Sequence, residues 1–121
     1  MKHILLLSTG GTIASRPGSD GLEPEMSGQE LLSCLGDLRG RFQVEVQQIM
    51  NLDSSNIQAE EWKIMARSVY ENLSGYDGFI ITHGTDTMAY SASMLSFMLR
   101  GLQKPVVFTG SQIPMDNMLT D

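Results

Sequence analysis

Residues 78–109 read GFIITHGTDTMAYSASMLSFMLRGLQKPVVFT, and the change of period inside this stretch decides the fold. Gly78 to Thr82 is an apolar run of strand length with no polar face. It stops at the polar turn His83 to Asp86. From Thr87 to Leu99 the residues Met88, Ala92, Leu95 and Leu99 recur at helical spacing, and Met88, Met94 and Met98 read as core packing. Pro105 to Thr109 is another short strand, opened by a proline where strands tolerate one.

Upstream the same alternation continues. Lys2 to Ser8 is a continuous aliphatic strand stopped by Gly10 and Gly11. Arg16 to Glu25 reads as a loop. Ser27 and Glu30 make a capping-box pattern before Leu31, Leu32 and Leu35, and Gly36 ends that short helix. Phe42 to Met50 alternates in part and reads as a strand; Asn51 to Asn56 is a polar loop. Ala59 to Leu73 is the clearest helix, with Trp62, Met65, Ala66, Val69 and Leu73 on one side. Gly110 to Asp121 carries no strong period. Strand, helix, strand, helix, strand, helix, strand predicts an α/β fold, a parallel sheet with flanking helices of flavodoxin-like or Rossmann-like type joined by right-handed crossovers.

Composition narrows the function. The 121 residues, 41% of them apolar, suit one folded domain and are too few for two. A net charge of −6, from 8 basic and 14 acidic residues, argues against nucleic acid and against an anionic membrane surface. Cys34 is the only cysteine, so no internal disulfide forms, which suits a reducing compartment. The apolar run Ile4 to Leu7 is too short for a signal peptide, and no stretch approaches the ~20 residues of a membrane helix. These features predict a cytoplasmic protein without nucleic-acid or membrane partners.

Ligands of open α/β sheets bind outside the carboxyl ends of the strands. Those ends read Thr9-Gly10-Gly11-Thr12, Asp53-Ser54-Ser55, Thr82-His83-Gly84-Thr85-Asp86-Thr87 and Thr109-Gly110-Ser111-Gln112. All four are rich in hydroxyls, and none holds a Lys or Arg. A phosphate would want a positive partner, and Asp53 and Asp86 oppose one. His83 and Asp86 match no strong metal spacing. Two carboxylates without a fixed cation suit a ligand that brings an ammonium group, and free backbone N–H groups at helix starts suit its carboxylate. An amino acid has both. Plainer readings stand beside this one. Thr12 and Asp86 also fit helix caps, Asp53, Ser54 and Ser55 also fit a turn, His83 fits a hydrogen-bonded structural histidine, and Cys34 a small buried hydrophobe.

Thr9-Gly10-Gly11-Thr12-Ile13-Ala14 resembles the first signature of the L-asparaginase family, and His83-Gly84-Thr85-Asp86-Thr87-Met88 resembles the second. Asn51-Leu52-Asp53-Ser54-Ser55 is similar to the family's substrate loop. Thr109-Gly110-Ser111-Gln112-Ile113-Pro114 resembles a loop of its bacterial type I, cytoplasmic branch. The resemblance implies hydrolysis of L-asparagine to L-aspartate and ammonia, with no metal or organic cofactor, in a homo-oligomer. Thr12 is the implied nucleophile. Thr85 is the second essential hydroxyl, linked to Asp86 and to a lysine further along. Asp53, Ser54 and Asp86 hold the substrate's α-carboxylate and α-ammonium, with Thr85, Gly11 and Gly84 completing the expected substrate-binding set, and the N–H groups around Gly11 and Thr85 are candidate oxyanion donors.

Two departures bear on this. Many family members place a tyrosine in the loop after the first signature, where Leu22 stands here, so the proton of Thr12 is expected to leave through the Thr85 relay. Family subunits also have a second domain. Residues 1–121 are therefore expected to be part of an N-terminal domain, with the C-terminal domain absent, and to be inactive alone; Lys104 precedes its strand and is at the wrong end for the relay lysine. The amidase subunit of a tRNA amidotransferase shares both signatures, and a non-catalytic amino-acid-binding or interaction module is the alternative outside enzymes.

Overall fold

Aliphatic runs that end in glycine or in a polar turn become central strands here. The computed structural model describes residues 1–10, 16–18, 21–23 and 40–110. Its elements are β1 (Lys2–Ser8), β2 (Arg16–Gly18), β3 (Gly21–Glu23), β4 (Phe42–Gln48), α1 (Ala59–Glu71), β5 (Gly78–Thr82), α2 (Met88–Met98) and β6 (Val106–Thr109). A single 3-10 turn, Ser54–Asn56, lies between β4 and α1. The main sheet has the order β4-β1-β5-β6, and every neighbouring pair in it is parallel. The chain thus moves outward from β1 to β4 and then crosses back past β1 to β5. That reversal creates a switch point between the carboxyl ends of β1 and β5, where a crevice opens in folds of this order.

Register decides what each face buries. Leu5 pairs with Phe79, Leu7 with Ile81, and Phe79 and Ile81 with Val106 and Phe108. These residues point to one face, and Met65, Ala66 and Val69 of α1 and Leu95 of α2 pack on them. Both helices therefore lie on the same side of the sheet, as two successive right-handed crossovers in one direction require. Trp62 and Leu73 flank this core, so the apolar side expected of α1 is the side it buries. At the edge, the same register brings Glu45 and Gln47 of β4 beside Leu5 and Leu7, and this polar edge discourages pairing with another chain. The Tyr76 hydroxyl donates to the Glu45 carboxylate. At the other end of the strands, His3 and Asp77 clasp each other. His3 N–H donates to Asp77 Oδ2 at 2.8 Å, and Asp77 N–H donates to the His3 carbonyl at 2.7 Å. Among the described residues, no helix is long and apolar enough to cross a membrane.

Three expectations change. The segment Arg16 to Glu25, read as a loop, contains an antiparallel pair in which Arg16 faces Glu23, Pro17 faces Leu22 and Gly18 faces Gly21. Its glycines and proline read as breakers, yet a hairpin with short arms uses the same residues. Ile49 and Met50, expected in β4, instead both donate to the Ser8 carbonyl, at 3.0 and 3.4 Å, and end the ladder. Met94 and Met98, expected in the core, are exposed together with Tyr90 and Phe97. Helix α2 has no charged residue, so its composition does not choose a face; the position of α1 does. The helix expected from Ser27 to Gly36 and Cys34 lie outside the described residues.

Leu7, fully buried at the centre of this core, should cost about 3 kcal/mol of stability when changed to Ala, whereas Val107→Ala, at a site 53% exposed, should stay within about 0.5 kcal/mol. Urea unfolding of the two variants checks the contrast.

Candidate active site

The crest begins where β1 and β5 run out of ladder. Thr9 is buried, and it continues the pairing past the strand end. Its N–H and its Oγ1 both donate to the Thr82 carbonyl, at 3.2 and 2.6 Å, and its own carbonyl accepts from Leu52 N–H at 2.9 Å. Gly10 follows with φ of 102°, a backbone state that side chains disfavour. A methyl group there would also lie 2.8 Å from the Leu52 carbonyl oxygen and 2.9 Å from its nitrogen. The first glycine of Thr-Gly-Gly-Thr therefore lets the 51–52 backbone lie against the end of β1.

The same device recurs one strand over. A side chain on Gly84 would meet Ser54 Cβ and Oγ at 2.6 Å. Ser54 is consequently buried against the turn after β5. Thr87 secures this seating, since its Oγ1 donates to the Ser54 carbonyl at 2.8 Å. Thr87 is also the residue at the N-cap of α2, but its hydroxyl makes no capping bond. The cap position expected of Asp86 thus belongs to Thr87, and the hydroxyl there is spent on holding two loops together.

The candidate residues separate clearly. Ser54, Gly84 and Thr85 are brought together at the switch point, with Thr85 half-buried. Asp86 is exposed and makes no hydrogen bond or ion pair among the described residues. Asp53 is exposed as well, but its Oδ1 accepts from Ser55 N–H and Ser55 Oγ, both at 3.0 Å, so it caps the 3-10 turn. Gly11, Thr12, Ser111 and Gln112 lie outside the described residues. Lys104 donates from its Nζ to the Leu73 carbonyl, at the opposite end of β6 from the crest. Among the described residues no group of three His, Cys, Asp or Glu side chains gathers. An apolar groove of about 460 Å³ lies away from the crest, between α2 and β6, lined by Leu95, Leu99, Leu102 and Phe108 among others. Among the described residues Thr82 Oγ1 is buried without a hydrogen-bond partner, a group that a water or ligand atom would satisfy.

His83 is fully buried and holds the turn from beneath. Its N–H donates to the Thr109 carbonyl at 2.9 Å. Its Nδ1 lies 2.7 Å from the Gly84 carbonyl oxygen, and its Nε2 lies 2.8 Å from Ser91 Oγ. A carbonyl only accepts, so Nδ1 carries the ring proton and Nε2 accepts from the Ser91 hydroxyl. Ser91 Oγ in turn accepts from Trp62 Nε1–H at 2.8 Å. The chain of bonds runs from α1 through α2 to the turn and is complete with a neutral imidazole. A second ring proton would leave Ser91 Oγ facing two donors. Burial lowers the pKa of His83, opposed in part by the bond to Gly84. The structural reading of His83 therefore holds. Sequence reasoning placed Trp62 in the core only and did not mark Ser91; the available signal was a serine at position i+3 from Met88 and i−4 from Leu95, on the buried stripe of a helix.

Comparison with known proteins gives a consistent result. The family model for the asparaginase N-terminal domain matches residues 3–121. L-asparaginase from Thermococcus kodakarensis is 44% identical over 98% of this chain and 36% of its own length. Its solved structure superposes with a TM-score of 0.88, covering 98% of this chain and 37% of that one. A glutamyl-tRNA(Gln) amidotransferase subunit from Thermoplasma volcanium is 38% identical over 99% of this chain and 30% of its own length. The structure of a probable cytoplasmic L-asparaginase from Campylobacter jejuni, 32% identical, gives a TM-score of 0.84 over 100% of this chain and 36% of that one. The chain spans about a third of the length of these relatives.

Two outcomes follow from the geometry. Gly84→Ala should unseat Ser54, because a methyl group cannot occupy a site 2.6 Å from two side-chain atoms, and a crystal structure should show the 54–56 turn displaced. The second concerns pH. The unfolded chain takes up a proton on His83 near its ordinary value of 6.5, while the folded chain resists it. The stability contributed by neutral His83 is present above pH 6.5 and is lost as pH falls below it. Urea midpoints measured from pH 8 to pH 5 should decline more steeply for wild type than for His83→Gln; equal slopes would count against the burial of a neutral ring.

Proposed function

The chain belongs to the asparaginase family, and on that premise we propose that it is part of an enzyme hydrolysing the side-chain amide of L-asparagine to L-aspartate and ammonia through a threonine nucleophile. The observation that carries this reading is the crest itself. The 51–56 loop is seated against Gly10 and Gly84 at the β1–β5 switch point, and no lysine or arginine occupies the strand ends to demand a phosphate. Thr12 follows Gly10 by two residues in the first signature.

In the proposed reaction Thr12 Oγ attacks the amide carbon, and its proton passes by way of Thr85 toward the departing amine. Backbone N–H groups around Gly11 and Thr85 supply donors for the oxyanion. Ammonia leaves, an acyl-threonine remains, and water releases aspartate. Asp86, which has no partner among the described residues, suits the substrate's ammonium; Ser54 and Asp53 complete the α-amino-acid subsite. No metal or organic cofactor enters this scheme. Residues 1–121 act within an N-terminal domain, and the working unit is a homo-oligomer. The C. jejuni relative supports a cytoplasmic setting. A second reading, the amidase subunit of a tRNA amidotransferase, is favoured by the 38% identity to the T. volcanium protein.

In the full-length protein, Thr12→Ala and Thr85→Ala should each lower ammonia release from asparagine at least ~100-fold with folding retained, and the double variant should lose little more than either, as residues acting in one unit do. Near-normal turnover by Thr12→Ala would sink the nucleophile assignment. Ammonia release that depends on a tRNA-binding partner would favour the second reading.

A further inference from the structure

The bond between His83 and the Gly84 carbonyl fixes more than the ring. Among the described residues no peptide bond is cis, so in the Gly84–Thr85 peptide the carbonyl and the N–H point in opposite directions. The imidazole that captures the carbonyl lies on the helix side of the sheet. It bonds to Ser91 of α2, and its centroid is 5.9 Å from that of Phe108. Thr85 N–H is therefore directed away from the helix layer. Unlike the N–H of His83, which is bonded to Thr109, it makes no hydrogen bond among the described residues. Nothing in the local backbone would keep it so aimed, because a glycine at position 84 makes rotation of this peptide cheap.

We infer that His83 is a positioning residue: by holding the Gly84 carbonyl toward the helix layer, it aims Thr85 N–H into the crevice as a donor for a substrate oxygen. The Gly84 carbonyl, which only accepts, selects the tautomer with the ring proton on Nδ1. Ser91 and Trp62 complete it: Nε2 accepts from the Ser91 hydroxyl, whose oxygen accepts from Trp62 Nε1–H. The use of the donor in catalysis rests on the asparaginase reading; the aiming itself does not.

The test compares His83→Leu with His83→Asn in the full-length protein. Leu removes the donor. Asn restores an N–H near the position of Nδ1 but abandons the bond to Ser91 and much of the ring's packing, so a merely structural role predicts that Asn is no better than Leu. Positioning predicts the reverse order. His83→Leu should lose roughly tenfold in kcat for asparagine, less than the loss of an oxyanion donor outright, and His83→Asn should recover most of it even if it unfolds at a lower urea concentration. Equal kcat for the two variants would overturn the inference. Should either variant fail to fold, the ring 15N shifts of wild-type His83 decide: a protonated Nδ1 supports the inference, and a protonated Nε2 refutes it. Absence of ammonia release from wild type would instead overturn the functional reading, while the tautomer would still report whether the carbonyl is held.

Discussion

The approach of the Ser54 turn to Gly84 is the constraint on which the crest depends. No side chain fits between them, so two loops that belong to different crossovers touch backbone to side chain. Because they touch, Ser54 is buried and its carbonyl comes within reach of Thr87. Because Thr87 bonds across the gap, α2 begins one residue after it, and both Thr85 and Asp86 are left on the rim rather than inside the helix. Gly10 repeats the arrangement against Leu52. The polar groups are thus held by close-packed main chain on a parallel sheet, and a site built this way is more precise than one carried by long loops.

Much of this was legible in the sequence. Lys2–Ser8 and Gly78–Thr82 match their expected bounds because each is an unbroken aliphatic run ended by residues that cannot extend a buried strand. The stripe from Trp62 to Leu73 named its own buried side. The gathering of Ser54, Gly84 and Thr85 followed from the shared direction of parallel strands, which needs no contact information. Other features depended on tertiary structure. In α2 the set Met88, Ala92, Leu95, Leu99 and the set Tyr90, Met94, Phe97, Met98 are equally apolar, and only the neighbouring helix distinguishes them. A serine within such a helix, like Ser91, reads as filler until a buried donor and acceptor are found on either side. Asp53 shows the opposite case: the plain turn-forming reading and the ligand-binding reading fall on the same carboxylate, one of whose oxygens is already engaged by its own turn.

The two helices do different work despite lying on the same face. Helix α1 is amphipathic and sets the core; its acidic first turn, with Glu61 accepting from Gln58 N–H at 3.1 Å, is ordinary capping. Helix α2 has no polar face and is joined to the turn before it through His83. Its contribution is to carry a hydrogen-bond acceptor and donor to a fixed height beneath the crest. The hairpin of β2 and β3 adds pairing in a segment whose composition suggested none, with Leu22 opposite Pro17.

Trp62 is the only tryptophan in the chain, and its indole N–H ends the series of bonds that begins at the Gly84 carbonyl. An indole that donates to a buried hydroxyl emits differently from one in bulk water. The protein therefore contains its own optical probe, wired to the turn that presents Thr85. Changes in emission under native conditions would register rearrangements of that turn in real time, without a label and without any reaction taking place.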